Sequence, residues 1–354
     1  MPAPLYYHPR MLAYDFGPGH PLRPDRVSRS MAMLEYYGME PIDPGVGVRA
    51  DVERVHASAY IDAVMAASKG RPVPEKYGLA QDTPAFPGMY EASLSYVAGS
   101  VRAAEAVRDG APLAISLSGG LHHARYAEGS GFCVFNDAAV AARILRERFA
   151  RVAYVDIDVH HGDGVQWIFF EDASVLTCSI HESGRTIYPG TGFLQETGAD
   201  FTSWNLPIEA HTSGDIWCWA FDSGILPALR AFSPGAIVLQ MGADAHFLDQ
   251  LGHLRVRAQD WLHAVEGVLA LGLPIVALGG GGYNLTTVPR MWTAAVLTLN
   301  GQEVPEEVPA TFAEWGMPTF LDGPPISSGV GAESTERTVA VLQRRLFECR
   351  ALWE

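Results

Sequence analysis

The chain has 354 residues, 48% apolar and 18% charged, enough to bury a sizeable core as one large domain or two smaller ones. Its net charge of −15 argues against a nucleic-acid surface, which needs a basic face, and suits either cationic partners or plain solubility. Four cysteines, Cys133, Cys178, Cys218 and Cys349, lie far apart with no C-x-x-C pair. That excludes a disulfide framework and a thiolate zinc site, and makes a cytoplasmic location the expectation. The first twenty residues lack the basic start and apolar core of a secretory signal. The run GVLALGLPIVALGGGG is interrupted by Gly272 and Pro274 and is too short for a membrane span, so no membrane role is expected.

In chain order, the pattern predicts a helix over 26–38, loops over 40–47 and 71–88, a helix over 90–110 and a strand over 113–117 (LAISL). A helix follows over 136–150, with Asn136 or Asp137 as N-cap, and strands follow over 152–159 and 174–180. Beyond these come a helix near 213–231, a strand over 236–241, a helix over 257–271, a strand over 274–279 and a helix over 286–299. A loop over 321–331 and a helix over 334–348 complete the list. Strands alternating with helices imply right-handed crossovers and an α/β fold with a mostly parallel sheet covered on both faces. No linker stands out, so a single domain over 1–354 is expected.

Ligands of such sheets sit beyond the carboxyl ends of the strands. Each predicted strand runs into polar or glycine-rich sequence: SGGLHHARYAEGSGF, HHGDG, HESGR, GADAH and GGGYN. The segment VDIDVHHGDG (155–164) is the densest. On a continued strand Asp156, Asp158 and His160 share one face, roughly 6.6 Å apart at Cα from one to the next. A carboxylate and an imidazole so spaced can lean onto one cation, which offsets the cost of collecting charge at the edge of a core; the competing reading is a hydrogen-bonded cluster without metal. A catalytic zinc takes three protein ligands and leaves one position open. Asp158 and His160 supply two, and Asp244 in LQMGADAH is the best-placed third, unless it is a helix N-cap. So oxygen-rich a set also suits ferrous iron.

His122 and His123, side by side after a glycine turn, read as a proton-transfer pair or as a surface accident. Asp156 and Asp163 are spare carboxylates suited to orienting them. Tyr283, in GGGGYNL, offers a hydroxyl for a developing oxyanion. The glycine run alone would also suit a phosphate, but it lacks the G-x-G-x-x-G frame.

With these residues in view, GHPLRPDR, GGLHHARYAEGSGFCVFND, VDIDVHHGDGV, YPGTG, GADAH followed by DQLGHL, and GGGGYN resemble, in order and spacing, the zinc-dependent histone deacetylase family. GLAQDTPAFPGMYEA (78–92) is most similar to its bacterial acetoin-utilisation branch. The resemblance implies a three-layer arginase/deacetylase-like fold, with a central mostly parallel sheet flanked by helices. It implies zinc on Asp158, His160 and Asp244, and His123 as general base and acid, oriented by Asp163. His122 paired with Asp156 becomes the electrostatic partner, and Tyr283 the carbonyl-polarising hydroxyl. It also implies a structural potassium ion at Asp156, Asp158, His160, Ser179 and the Ile180 carbonyl. Gly131 and Phe132 match one channel wall, and Tyr188 stands where lysine deacetylases usually carry Phe. Asp82 matches the rim carboxylate that grips substrate backbone, and Arg26 an arginine of the acetate exit. Leu251 lies roughly where polyamine-specific relatives carry an acidic gatekeeper, which tilts the expectation toward protein lysine. His20, His181, His246 and His253 are expected to be structural hydrogen-bonders, and His8, His56, His211 and His263 carry no expected chemistry.

The expected reaction is removal of acetyl, or a related acyl group, from the ε-amine of lysine in acetylated proteins. The alternative is an acetylpolyamine amidohydrolase acting on small acetylated amines. A binuclear ureohydrolase would need further carboxylates where DVHHGDG has histidine, and a silent acetyl-lysine reader would not need Tyr283 or the histidine pair.

Overall fold

A computed structural model describes residues 2–316, 318–324 and 329–353. The strands are β1 (Leu5–Tyr6), β2 (Pro41–Ile42), β3 (Leu113–Ser116), β4 (Val152–Asp156), β5 (Val175–Glu182), β6 (Ser203–Ile208), β7 (Ala236–Gln240) and β8 (Ile275–Leu278). They form one sheet in the order β2-β1-β3-β8-β7-β4-β5-β6, and every pairing is parallel. This is the α/β architecture of the arginase/deacetylase fold. The five strands read from sequence are the contiguous middle of this sheet. A central parallel strand is buried on both faces and reads as a plain apolar run, which is why these five are legible. Outside this middle, β1 and the edge strand β2 have two residues each, and SWNLPI of the opposite edge strand β6 is broken by proline. β2 therefore corrects the expected loop over 40–47.

The helices are α1 (Asp25–Tyr36), α2 (Arg49–Val52), α3 (Ser58–Ala67), α4 (Met89–Arg108), α5 (Asp137–Arg146), α6 (Asp163–Phe169), α7 (Gly214–Ala220), α8 (Leu226–Phe232), α9 (Ala258–Leu269), α10 (Thr287–Leu299) and α11 (Ala332–Trp353). Alternate strand residues sort them into two layers. Ala153 and Val155 of β4 pack with Met31, Trp217, Leu229, Trp261, Trp292 and Leu342 from α1 and α7 to α11. Val152 and Tyr154 pack with Ile61, Val97, Val140 and Phe169 from α3 to α6. The single helix expected near 213–231 is α7 and α8 joined by a π turn at Phe221–Ile225. The expected loop over 321–331 is observed only in part, because 325–328 lie outside the described residues. No helix among the described residues is long and apolar enough to cross a membrane.

Candidate metal centre and active site

Strand β4 stops at Asp156, which corrects the reading of 152–159 as one continuous strand. The side chains themselves end it. Asp156 Oδ1 accepts the Asp158 N–H (3.1 Å) and Asp158 Oδ1 accepts the His160 N–H (3.0 Å), two successive side-chain turns that compete with the sheet ladder. Asp158 and His160 are thus aimed by turns rather than by strand alternation. Asp244 arrives from the loop after β7, and its Oδ1 accepts the Val159 N–H at 2.8 Å.

One donor atom each from Asp158, His160 and Asp244 lies within 4.8 Å of the other two, and all three residues are buried. His160 Nδ1 stands 3.1 Å from Asp158 Oδ1 and 3.1 Å from Asp244 Oδ2. The other oxygen of Asp158 is already held, by the Gly281 N–H (2.8 Å) and by Gln240 Nε2 (2.8 Å). A Cβ on Gly281 would run into both carboxylates, so the backbone here can approach only as glycine. Burial, and then the Asp158 charge beside it, push the Asp244 carboxyl up to about 7. Two buried carboxylates pressed together in this way favour a positive charge between them. The donor set fits a divalent ion, zinc or ferrous iron.

Beside this cluster, His122 Nδ1 meets Asp156 Oδ2 at 2.8 Å, and His123 Nδ1 meets Asp163 Oδ1 at 2.7 Å. The two Nε2 atoms lie 3.0 Å apart. Burial opposes charge on His122, but Asp156 and Asp158 outweigh it and raise its pKa to about 9. Burial, and then His122, lower His123 to about 4. These unequal surroundings favour the proton on His122 over His123. Asn136, the N-cap of α5, accepts the Ala139 N–H (2.9 Å) and donates to the carbonyls of His122 (3.0 Å) and Ala124 (2.8 Å). The Asp137 carboxylate turns the other way and accepts the N–H groups of Gly120 (2.8 Å) and Leu121 (2.9 Å), which fixes the loop that carries the histidines.

Tyr283 is nearly buried, its ring 6.4 Å from that of His160 and 5.7 Å from that of Phe132. Burial and the Asp244 and Asp158 charges raise its pKa, so the phenol keeps its proton. Asp249 Oδ2 accepts the Tyr283 N–H at 2.7 Å. Arg26 donates to the carbonyls of Gly280 (2.5 Å) and Gly282 (3.3 Å), bracing the glycine loop from below. Leu251, half-buried, lines with Tyr283 a cavity of about 750 Å³. Tyr188 stands edge-on to His123 with centroids 5.0 Å apart. Asp82 is turned inward, its Oδ2 accepting the Gly131 N–H (3.2 Å) and its Oδ1 the Thr83 hydroxyl (3.0 Å). Ser179 pairs with Asp156 in the β4–β5 register and donates to His181 Nδ1 (2.7 Å), while Ile180 faces the core.

The sequence reading missed Gln240, Asp249, Arg125 and the loop-facing role of Asp137. Arg125 grips Asp163 Oδ2 at 2.8 Å. Gln240 was legible, as a lone amide ending the apolar run AIVLQ; Asp249 and Arg125 carry no such signal. His181, His246 and His253 are hydrogen-bonded to Gly192, Asp322 and Glu182, and His20 to the Asp82 carbonyl.

A family model described as the histone deacetylase domain matches residues 20–299. The chain belongs to the histone deacetylase family. It is 35% identical to "Acetoin utilization protein AcuC" of Bacillus subtilis (strain 168), over 98% of this chain and 97% of that protein. It is also 35% identical to "Histone deacetylase clr6" of Schizosaccharomyces pombe, over 84% of this chain and 76% of that one. As a member it is a deacetylase hydrolase of a generally metal-dependent family, which implies acetylated substrates.

Proposed function

We propose that the protein hydrolyses the acetyl amide of ε-acetyl-lysine side chains, with zinc held by Asp158, His160 and Asp244. The observation that carries this reading is the convergence of those three donors beside a histidine pair in which each ring has its own buried carboxylate. A divalent ion there supplies Lewis-acid polarisation and acidifies water. His123, neutral and held by Asp163 through Nδ1, takes the proton of the attacking water at Nε2 and returns it to the departing amine. His122, hydrogen-bonded to Asp156 through Nδ1, is the electrostatic partner beside it. The Tyr283 hydroxyl donates to the oxyanion. Gly131, Phe132 and Tyr188 form the channel walls. Leu251 puts an apolar side chain roughly where polyamine-specific relatives carry an acidic gatekeeper, which favours a lysine tether over a polyamine. Asp82 acts at the rim, Arg26 lies on the acetate exit, and potassium sits at Asp156, Asp158, His160, Ser179 and the Ile180 carbonyl.

The test is turnover of an acetyl-lysine peptide and of acetylspermidine by the chelated protein, with and without added Zn²⁺ or Fe²⁺. Peptide turnover restored by the metal is expected. Faster acetylspermidine turnover would replace the substrate assigned here with the polyamine one, and metal-independent turnover of either would overturn the mechanism.

A further inference from the structure

The wall that presents Phe132 is a strained turn. Ser130 and Cys133 exchange backbone hydrogen bonds (3.0 and 2.8 Å), and the two residues between them, Gly131 and Phe132, have φ of 53° and 67°. A phenylalanine adopts that conformation only where its surroundings enforce it. Three braces come from one side. Asp82 accepts the Gly131 N–H, Thr83 Oγ1 accepts the Phe132 N–H (3.0 Å), and the Tyr14 hydroxyl donates to the Phe132 carbonyl (2.7 Å). A fourth comes from the segment after β5, where the Tyr188 hydroxyl and Ser130 Oγ are hydrogen-bonded to each other. Tyr188 also packs its ring edge-on to His123, so one side chain links this second wall, the histidine pair and the Phe132 turn.

We propose that Ser130 and Tyr188 form a hydroxyl clasp that fixes the separation of the two walls and so selects an unbranched alkyl chain between the amide and the rest of the substrate. The proposal rests on the deacetylase reading of the site. A wall braced from both flanks recedes less readily, and forcing an extra methyl group into a space that yields little is costly. Releasing the clasp lets the turn give way and lowers that cost.

The experiment compares kcat and KM for an acetyl-lysine peptide and for the same peptide with one methyl branch on the lysine side chain. The proteins are the wild type, Tyr188→Phe, Ser130→Ala, the double variant and Ser130→Thr. The wild type should prefer the straight chain. Tyr188→Phe and Ser130→Ala should each reduce that preference by roughly three- to tenfold, the value of one hydrogen bond, with the straight-chain kcat of Ser130→Ala within about twofold of wild type. The double variant should match the single ones, because both remove the same bond, and Ser130→Thr should keep the preference. Additive effects, or an unchanged preference in Tyr188→Phe, would overturn the clasp. Amide exchange at residues 130–133 gives a reading that needs no substrate. Faster exchange in both single variants is expected, and unchanged exchange counts against the proposal. If the wild type cleaves neither peptide, the functional reading is what fails, and amide exchange alone decides the clasp.

Discussion

Gln240 closes β7 as a fully buried amide; besides a 3.3 Å approach of Nε2 to His122 Nδ1, it makes three hydrogen bonds around the candidate metal centre. Its Nε2 donates to Asp158 Oδ2 (2.8 Å) and to the Gly120 carbonyl (3.2 Å), and its Oε1 accepts the Gly242 N–H (2.8 Å). Gln240→Met keeps an unbranched side chain of similar length and removes all three. A hydrogen bond to a charged carboxylate is worth roughly 2 kcal/mol and a stranded buried N–H costs roughly 2 kcal/mol, so the variant should lose about 4 kcal/mol of stability. Asp158 keeps its bond from the Gly281 N–H, so the ligand should loosen rather than leave, and metal affinity should fall roughly 10- to 100-fold. Guanidinium unfolding of the metal-free protein measures the first quantity, and Zn²⁺ competition against a fluorescent chelator measures the second. A loss under about 1 kcal/mol together with unchanged affinity would mean that Gln240 does not hold Asp158.

Tyr283→Phe should lower kcat roughly 10²–10³-fold with Zn²⁺ affinity retained; near-normal turnover refutes the oxyanion role. Gly131→Ala should abolish most activity, because the added Cβ falls on the His123 ring at a position whose φ is already 53°; wild-type turnover would show that the turn yields. His56 is buried and neutral, with Nδ1–H donated to the Arg125 carbonyl and Nε2 accepting the Asn136 N–H (both 2.9 Å). Burial lowers its pKa from 6.5 to about 4. Its stabilisation is therefore complete above pH 6.5 and declines as pH falls toward 4, by about 3 kcal/mol in all. Denaturation against pH should be correspondingly flatter in His56→Gln, and equal slopes would contradict the assignment.

The residues that converge here were legible because they lie in short segments at strand ends. VDIDVHHGDG, GGLHHARY and GGGGYN each join an apolar run to groups that are costly to bury, a pairing that a purely structural strand end has little use for. Helices α4, α5 and α10 were legible from their apolar periodicity. Helix α6 was not, because it begins inside the polar segment at Asp163. Strands β1 and β2 were missed because two residues carry no period, and only their neighbours in the sheet define them.

The sequence by itself determined the layered parallel architecture, the kinds of group that meet and the segments that carry them. These follow from local patterns of polarity and from the need to compensate buried charge. Tertiary structure alone decided how each group is aimed. Asp158 and His160 are turned by side-chain hydrogen bonds after β4 has ended, His122 and His123 each meet a different buried carboxylate, and Asp82 is directed at the Gly131 N–H. These outcomes depend on donors brought from distant parts of the chain, among them Gln240 against Asp158 and Arg125 against Asp163. Hydrogen bonds have direction and short reach, so which partner a side chain meets is settled only when the segments have packed.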